Sequence, residues 1–295
     1  MTEKEQIDLA AFGHPRVLVT GVKGQLGYDV MKVLAQRGIE AVGADIEEFD
    51  LTDKAAVLRF VEGCRPDAVI HCAAYTAVDK AEDNAALCRA VNVDGTANVA
   101  AACNAVDAKL LYISTDYVFP GDGDRFYEVD DPTGPRSVYG QTKLDGEAAA
   151  RAVARHFVVR ISWVFGKNGA NFVRTMLKLS DKPSLRVVDD QIGSPTYTAD
   201  LAPLLCDMIV TDNYGTYHAT NEGLCSWAQF AAEIFSLAGA ATAVEAIPTS
   251  EYPASKAVRP LNSRLSKRSL DEAGFQRLPE WHDALTRYMK ELAEE

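Results

Sequence analysis

Short apolar segments separated by helical stretches are the feature that most constrains how this chain can fold. These segments carry no regular polar alternation, which is typical of strands buried on both faces of a parallel sheet. After the first segment, Leu26, Val30, Val33 and Leu34 share one helical face, and Gly38 follows as a stop. We therefore predict an α/β fold with a doubly wound, Rossmann-like parallel sheet. The predicted strands lie at 16–20, 40–44, 68–71, 109–114, 156–161 and 215–219.

The length of 295 residues predicts one large α/β unit or two associated domains, and the distribution of proline indicates a smaller second lobe. A chain of this size exceeds the usual range of about 100–200 residues for one domain. Prolines become frequent beyond Gly166 and divide the second half into shorter elements. We predict an N-terminal extension at 1–15 and a dinucleotide-binding domain at 16–165, to which segments from 190–240 return. A smaller, interleaved C-terminal substrate lobe is formed mainly by 166–295 and is discontinuous in sequence.

The charge balance argues against a nucleic-acid partner. Asp and Glu number 42 against 30 Lys and Arg, so the net charge is −12 and the summed field repels polyanions. No apolar run approaches the roughly 18–20 residues of a membrane span, and residues 1–15 lack the basic-then-apolar order of a signal peptide. Six cysteines without a C-x-x-C pair are expected to be reduced thiols. We therefore expect no membrane partner and a cytoplasmic location.

A glycine-rich turn links the first predicted strand to the first predicted helix. Gly21, Gly24 and Gly27 permit a tight turn, let a pyrophosphate approach the backbone, and present the helix N-terminus to the phosphates. Asp45 ends the second strand 24 residues after Gly21, close to the spacing expected for an acid that binds the adenosine ribose. A carboxylate there favours NAD, whereas Lys23 in the turn could neutralise the extra phosphate of NADP. NADH and NADPH therefore both stay open.

Three tyrosines are followed four residues later by a lysine, a spacing that puts both side chains on one face of a helix. An ammonium there can stabilise a phenolate and lower the tyrosine pKa from its usual value of about 10, which makes tyrosine a usable acid–base catalyst. Only one pair has a partner at the carboxyl end of a predicted strand, where ligands gather in a doubly wound sheet: Tyr139/Lys143 follows Thr115. We predict these three residues as the catalytic centre. The other pairs are Tyr28/Lys32 and Tyr252/Lys256.

The glycine turn and the Tyr139/Lys143 pair resemble those of the extended short-chain dehydrogenase/reductase superfamily. Longer stretches resemble, within it, the dTDP-4-dehydrorhamnose reductase family, and they cover the chain from about residue 16 to residue 290. These stretches are HCAAYTAVDKAE at 71–82, STDYVF at 114–119, VYGQTK at 138–143, SWVFG at 162–166, DQIGSPT at 190–196 and RPLNS at 259–263.

This resemblance implies a reduction that uses NADH or NADPH. Tyr139 would protonate the C4 oxygen of a nucleotide-linked keto-deoxysugar while the nicotinamide delivers hydride to C4, and Lys143 would also hold the nicotinamide ribose. The substrate implied is dTDP-4-dehydro-L-rhamnose, with Asp116 and Trp163 contacting the nucleotide sugar beside Thr115. The cofactor contacts implied are Gly21, Gly24, Gln25, Leu26, Gly27, Asp45, Asp50, Leu51, Ala73, Ala74, Tyr75, Tyr139 and Lys143.

Some residues have two interpretations. Asp50 and Leu51 either flank the adenine or, with Thr52 and Asp53, begin a helix. Asn171 either binds the base or phosphate of the substrate or caps a helix. An acidic enzyme that binds a diphosphate also needs local positive charge. The candidates for that charge in the second half are Arg174, Lys178, Arg259 and Arg264.

The resemblance also suggests a possible magnesium site. Some of these reductases dimerise through magnesium held by acidic residues, and Asp29 and Asp200 occupy comparable places in this chain. Two scattered carboxylates are more often solvated surface groups, and the five histidines form no cluster with metal-ligand spacing. We therefore assign no metal ligand, and we expect a monomer or a homodimer.

Two other classes of protein resemble this pattern. A nucleotide-sugar dehydratase would carry glutamate where Tyr117 stands, so a reduction is favoured over dehydration, and an epimerase on the same scaffold is a further alternative. The non-catalytic, cofactor-binding regulatory subunit of methionine adenosyltransferase shares the Tyr-x-x-x-Lys pair. Trp163 and the stretch at 190–196 favour the reductase over that subunit.

Overall fold

The computed structural model describes residues 15–252 and 255–294. The predicted N-terminal extension therefore lies outside the described residues, except for Pro15. The strands are β1 (Val17–Thr20), β2 (Ala41–Ala44), β3 (Ala68–His71), β4 (Lys109–Thr115), β5 (His156–Ile161), β6 (Val164–Phe165), β7 (Ser184–Val188), β8 (Ile192–Gly193), β9 (Thr196–Tyr197), β10 (Gly215–His218), β11 (Cys225–Ser226), β12 (Ala243–Ile247) and β13 (Asn262–Ser263).

Eleven α-helices lie in the described residues, and those of the first half alternate with the strands. They are α1 (Gln25–Gln36), α2 (Lys54–Cys64), α3 (Val78–Asp83), α4 (Ala85–Arg89), α5 (Thr96–Val106), α6 (Val138–Ala150), α7 (Phe172–Lys178), α8 (Thr198–Ile209), α9 (Trp227–Leu237), α10 (Arg268–Glu272) and α11 (Trp281–Ala293). A π-helical turn, Ala90–Gly95, joins α4 to α5. Within the ranges that the structure describes, every helix is too short or too polar to cross a lipid bilayer.

The central sheet has six strands in the order β10-β5-β4-β3-β1-β2, and all neighbouring strands are parallel. The predicted doubly wound fold is therefore confirmed, and each predicted strand lies within one residue of its expected ends. The strand order reverses between β1 and β3. In open α/β sheets a crevice forms outside the carboxyl ends of the strands at such a reversal, so the loops after β1 and β3 border a natural ligand site.

Apolar side chains cover both faces of the sheet, as predicted from strands in which polar and apolar residues do not alternate. Val17 and Val19 point to the face covered by α1 and α8, whereas Leu18 points to the opposite face, covered by α2 and α5. The predicted stripe of α1 is found: Leu26, Val30 and Leu34 are buried and Val33 packs at the edge of the same cluster. The helix ends one residue before Arg37, and Gly38 follows in the left-handed region.

A third apolar cluster lies away from the central sheet. It is formed around Phe165, Phe230, Ile234, Leu285 and Tyr288, from β6, α9 and α11. Parallel strands β7 and β12 pack beside it, and β8 pairs with both β11 and β13. The second half of the chain therefore builds its own core next to the carboxyl edge of the sheet, where it contributes walls to the site described below.

Candidate active site

The glycine turn lies at the crevice between β1 and β3. Gly21 has a φ of 72°, in the left-handed region, and a Cβ at this position would lie 2.7 Å from the backbone nitrogen of Ala73. The loop after β3 therefore packs directly on the loop after β1. The N-cap of α1 is Gly24, which has no side chain to satisfy the first N–H groups of the helix. This helix N-terminus borders a cleft and suits a diphosphate.

A cleft of about 600 Å³ extends from the glycine turn past the carboxyl ends of β4 and β5. It brings together residues that are far apart in the chain, such as Gly21 and Trp163, which are 142 positions apart. Thr76, Val78 and Ser162 also line it, although the sequence did not single them out. The predicted residues in its lining are Gly21, Gly24, Gln25, Leu26, Gly27, Asp45, Ala73, Ala74, Thr115, Asp116, Tyr139, Lys143 and Trp163.

A second, smaller cleft of about 210 Å³ is lined by Phe49, Asp50, Leu51, Val91 and other residues at the end of β2. Asp45 borders both clefts and accepts a hydrogen bond from the backbone N–H of Lys23 at 3.0 Å. Its carboxylate thus stands between the helix N-terminus and a small, largely apolar cleft. The diphosphate, ribose and adenine of a dinucleotide fit this succession of groups.

The structure is compatible with both interpretations of Asp50. Asp50 lines the second cleft, and its carboxylate also accepts hydrogen bonds from the backbone and hydroxyl of Thr52. Asp53 caps α2, as the helix-start interpretation requires. Tyr75, in contrast, is not among the residues that line the three clefts described in this section. Its backbone N–H and C=O instead bond to the side chain of Asn92.

The predicted catalytic residues come from the end of β4 and the start of α6. Ser137 caps α6 by accepting a hydrogen bond from Gly140 N, which fixes Tyr139 in the first turn and Lys143 one turn later. The hydroxyl of Thr115 forms a hydrogen bond with Tyr139 that opposes the rise in its pKa. The phenol, the hydroxyl and the ammonium therefore lie in one cleft, the arrangement needed to protonate a carbonyl oxygen.

The electrostatics of the tyrosine–lysine pair differ from the sequence expectation. Burial raises the pKa of Tyr139 above its usual value, with smaller contributions from Asp116 and Tyr117. The ammonium of Lys143 lies over the ring of Tyr112, and burial lowers the pKa of Lys143 to about 7. The expected lowering of the Tyr139 pKa is therefore wrong for this structure, because burial makes the largest contribution. A raised pKa keeps the phenol protonated at neutral pH, the form required of a proton donor.

Asp116 is tied to the second half of the chain. Its carboxylate accepts hydrogen bonds from Thr115 Oγ1 at 2.9 Å and from the hydroxyl of Ser263 on β13. Burial raises the pKa of Asp116 to about 6, although these hydrogen bonds act in the opposite direction. The carboxylate is thus held rigidly beside Thr115 in the first cleft.

A third cleft, of about 950 Å³, opens next to the first and is lined mainly by the second half of the chain. Arg259 lines it, as the need for positive charge predicts, and pairs with Asp79 while donating to Tyr117 Oη at 3.1 Å. Two more arginines line it that the sequence did not single out, Arg136 and Arg186, each paired with a carboxylate. Arg136 lies three residues before Tyr139, and that closeness was the available signal.

The remaining basic candidates are placed elsewhere. Arg174 donates to the carbonyl of Lys167 at 2.8 Å, and Arg264 donates to Asn262 at 2.9 Å. Neither these residues nor Lys178 line the three clefts described here. Of the four candidates, Arg259 therefore lines one of these clefts, whereas Arg174 and Lys178 lie on α7 and Arg264 follows β13.

Asn171 acts as a helix cap. Its Oδ1 accepts from Arg174 N, and its Nδ2 donates to Gly166 O and to the side chain of Gln25. It is not among the residues that line the three clefts, so the structure does not bring it to the expected substrate position. It instead orients Gln25, which does line the first cleft.

The two acids considered for magnesium are already bonded to protein donors. Asp29 is buried and accepts a hydrogen bond from Thr198, and Asp200 accepts two from Arg287, both at 2.7 Å, and one from Asn221. In this structure Asp200 is therefore paired with a guanidinium, and Asp29 is bonded to a hydroxyl. Among the described residues, no group of three or more His, Cys, Asp or Glu side chains is arranged to hold a metal.

Comparison with known proteins shows which family this chain belongs to. The model of the RmlD substrate binding domain matches residues 15–294. The chain belongs to this family. A relative, the dTDP-4-dehydrorhamnose reductase of Streptomyces griseus, is 45% identical over 286 residues, which cover 94% of each chain.

Solved structures show the same fold in the family. A dTDP-4-dehydrorhamnose reductase from Clostridium acetobutylicum ATCC 824 superposes with a TM-score of 0.92 at 40% identity, covering 94% of this chain and 99% of that one. A second, from Bacillus anthracis str. Ames in complex with NADP, has a TM-score of 0.91 at 41% identity and the same coverage. The resemblance inferred from the sequence motifs is therefore confirmed.

Proposed function

We propose that this chain is an NAD(P)H-dependent oxidoreductase that reduces the C4 keto group of dTDP-4-dehydro-L-rhamnose to give dTDP-L-rhamnose. The observation that carries the proposal is that Thr115, Tyr139 and Lys143 line the same cleft as the glycine turn. A dinucleotide bound at that turn would extend towards the phenol. The names of the relatives support the substrate, and the NADP complex of the Bacillus anthracis relative supports the cofactor class.

The first half of the chain holds the dinucleotide in this proposal. The N-terminus of α1 faces the diphosphate, Asp45 takes the adenosine ribose, and the second cleft takes the adenine. Lys143 holds the nicotinamide ribose. When bound, the reduced nicotinamide supplies the hydride. Asp45 favours NADH because its carboxylate would face a 2′-phosphate, and the ammonium of Lys23 is already paired with Glu47.

Tyr139 acts as the proton donor in the reduction. As hydride reaches C4, negative charge develops on the carbonyl oxygen, and the neutral phenol delivers its proton to that oxygen. The hydroxyl of Thr115, which donates to Asp116 in this structure, would turn its proton to the same oxygen and so hold it beside Tyr139. The ammonium of Lys143 stabilises the tyrosinate that is left after proton transfer.

Residues from both halves of the chain hold the nucleotide sugar. Asp116 and Trp163 contact the sugar in the first cleft, and Arg259 faces the diphosphate from the third cleft. In this proposal 16–165 holds the dinucleotide and part of the sugar, and 166–295 supplies most of the remaining substrate contacts. Every group named belongs to one chain, so a monomer and a homodimer would both contain complete sites. A cytoplasmic location fits a reaction that consumes reduced nicotinamide and a chain whose six cysteines are free thiols.

A coupled assay tests the proposal. The protein is mixed with dTDP-glucose, the upstream dehydratase and epimerase, and NADH or NADPH, and the loss of reduced-nicotinamide absorbance is followed. We expect oxidation that depends on the keto sugar and dTDP-L-rhamnose as product. Turnover of dTDP-glucose without the upstream dehydratase would instead indicate a dehydratase. Cofactor binding without any turnover would indicate a regulatory, non-catalytic protein.

A further inference from the structure

Trp163 has an unusual backbone conformation. Its φ of 50° lies in the left-handed region, which disfavours residues with a Cβ. The other non-glycine residues with positive φ in the described part of the chain are Arg65 and Asp107, and both cap the C-terminus of a helix. Trp163 follows β5 and caps no helix. Such strain persists only where the surroundings fix the residue, and it is concentrated at functional sites.

Two neighbours fix the indole of Trp163. The ring of Trp227 stacks on it, with 3.8 Å between ring centres and 14° between the planes. At its edge lies Gly193 of β8, where a Cβ would come within 3.0 Å of Trp163 Cε2. A side chain at residue 193 would therefore push the indole out of this position.

The support for Trp227 is itself rigid. Trp227 is the first residue of α9, whose start is fixed by a capping box between Ser226 and Gln229. Strand β11, just before it, pairs with β8, so that Cys225 lies opposite Gly193. The two neighbours of the Trp163 indole thus belong to paired strands. Phe172 packs on the Trp227 ring as well, with 4.6 Å between ring centres.

The stacked pair lies where two clefts meet. Trp163 lines the first cleft with Tyr139 and Lys143, and it also lines the third cleft with Arg259. Trp227 lines the third cleft but not the first. The Trp163 indole is therefore the wall shared by the place where the carbonyl would react and the place where the nucleotide would lie.

We propose that Trp227 is a positioning residue, which holds the Trp163 indole as the wall between the two clefts and so fixes the keto sugar relative to Tyr139. The proposal rests on the proposed function for the identity of the ligand. A wall can align a substrate only if it stays in place, and the strained backbone of Trp163 would relax if the stack were lost. Trp227 need not touch the reacting atoms to act in this way.

The test compares the affinity for dTDP, measured by titration calorimetry, in three variants. Trp227→Leu removes the stacking ring and should weaken dTDP binding about tenfold, whereas Trp227→Phe keeps a ring and should stay within about threefold of wild type. Trp281→Leu is the matched control, since Trp281 packs edge-on against Phe230 and lines none of the three clefts. Affinity for NADPH should be unchanged in all three.

Kinetics separate positioning from general damage. In Trp227→Leu the kcat for reduction of the keto sugar should fall about tenfold, because the carbonyl is no longer aligned with Tyr139, and the KM should rise as well. Equal losses in Trp227→Leu and Trp281→Leu, or an unchanged dTDP affinity in Trp227→Leu, would overturn the proposal. If Trp227→Leu fails to fold, Trp227→Met, which fills similar volume without a ring, takes its place.

Failure of this proposal can be told apart from failure of the proposed function. If the wild-type protein binds dTDP but does not reduce the keto sugar, the proposed function is wrong and the comparison of dTDP affinities still decides the role of Trp227. If the wild-type protein does not bind dTDP, the positioning role is wrong as well.

Discussion

The ammonium of Lys143 lies 4.1 Å from the centre of the Tyr112 ring, in the interior of the protein. The face of an aromatic ring attracts a cation, and Glu147, one turn further along α6, adds a favourable charge. Burial nevertheless lowers the pKa of Lys143 to about 7. The fold therefore keeps a lysine beside Tyr139 at a cost in stability, as is common for catalytic groups.

This cost should appear as a dependence of stability on pH. Unfolded, Lys143 would hold its proton up to its usual pKa of 10.5, whereas folded it loses the proton near 7. Between these values the unfolded chain binds more protons, so this lysine lets stability rise with pH. We expect Lys143→Met to unfold at a higher temperature than wild type at neutral pH, by a margin that shrinks as the pH rises. Thermal unfolding followed by circular dichroism checks this.

Lys32→Met is the control for that experiment. Lys32 lies on α1 and its side chain is half exposed, so the substitution should not give a pH-dependent gain. A constant difference between Lys143→Met and wild type across the pH range would mean that Lys143 titrates normally.

The chemical step should depend on a single hydroxyl. Tyr139→Phe removes the proton donor and keeps the ring, so kcat should fall at least about 100-fold while cofactor affinity stays near that of wild type. Tyr28→Phe makes the same change at another tyrosine–lysine spacing, where the tyrosine is exposed and lines none of the three clefts. Steady-state kinetics and cofactor titration provide the measurements. A loss of the same size in this control would remove Tyr139 from the proposed role.

Cofactor preference should respond to Asp45. Its carboxylate borders the first and second clefts and, with a dinucleotide bound as proposed, would repel the 2′-phosphate of NADPH. Asp45→Ala removes that repulsion together with a hydrogen bond to the ribose of NADH. We expect the ratio of kcat/KM for NADPH to that for NADH to rise. Asp53→Ala, at the cap of α2, is a suitable control because it removes a nearby carboxylate from a helix start. If the ratio does not change, Asp45 does not face the ribose.

The left-handed backbone at Trp163 should reverse the usual order of stability between alanine and glycine substitutions. Glycine normally destabilises a position relative to alanine, but at a φ of 50° alanine carries the steric penalty. We expect Trp163→Gly to be more stable than Trp163→Ala by about 1 kcal/mol in urea unfolding. At Trp281, the first residue of α11, the same pair of substitutions should rank in the usual order. The usual order at residue 163 would contradict the assigned backbone conformation.

The central sheet could be predicted because its strands carry a strong, local signal. Continuous apolar runs such as 109–114 have few alternatives once they are long enough and lie between helices. The start of α1 could be predicted as well, since glycine at residues 21 and 24 serves one local turn. These features depend on neighbours in sequence, which is why the sequence contains them.

Features that depend on distant packing could not be predicted. The sequence shows that Lys143 lies one turn from Tyr139. It does not show that the ammonium of Lys143 lies over the Tyr112 ring, or that burial dominates the pKa of Tyr139. Arg186 reaches the third cleft because β7 packs beside β12. The residues near Trp163 in sequence do not predict its left-handed backbone, because tryptophan does not favour that region. The Trp227 ring that stacks on it belongs to a residue 64 positions away.

The hydrogen bond between Asp116 and Ser263 has a consequence for biosynthesis. During translation the glycine turn, Tyr139 and Lys143 leave the ribosome well before β13. Until β13 is made, the carboxylate of Asp116 therefore lacks this partner. Chains that stop before residue 263 would carry the glycine turn, Tyr139 and Lys143 without it. Synthesis of nearly the whole polypeptide is thus required before this cleft is complete.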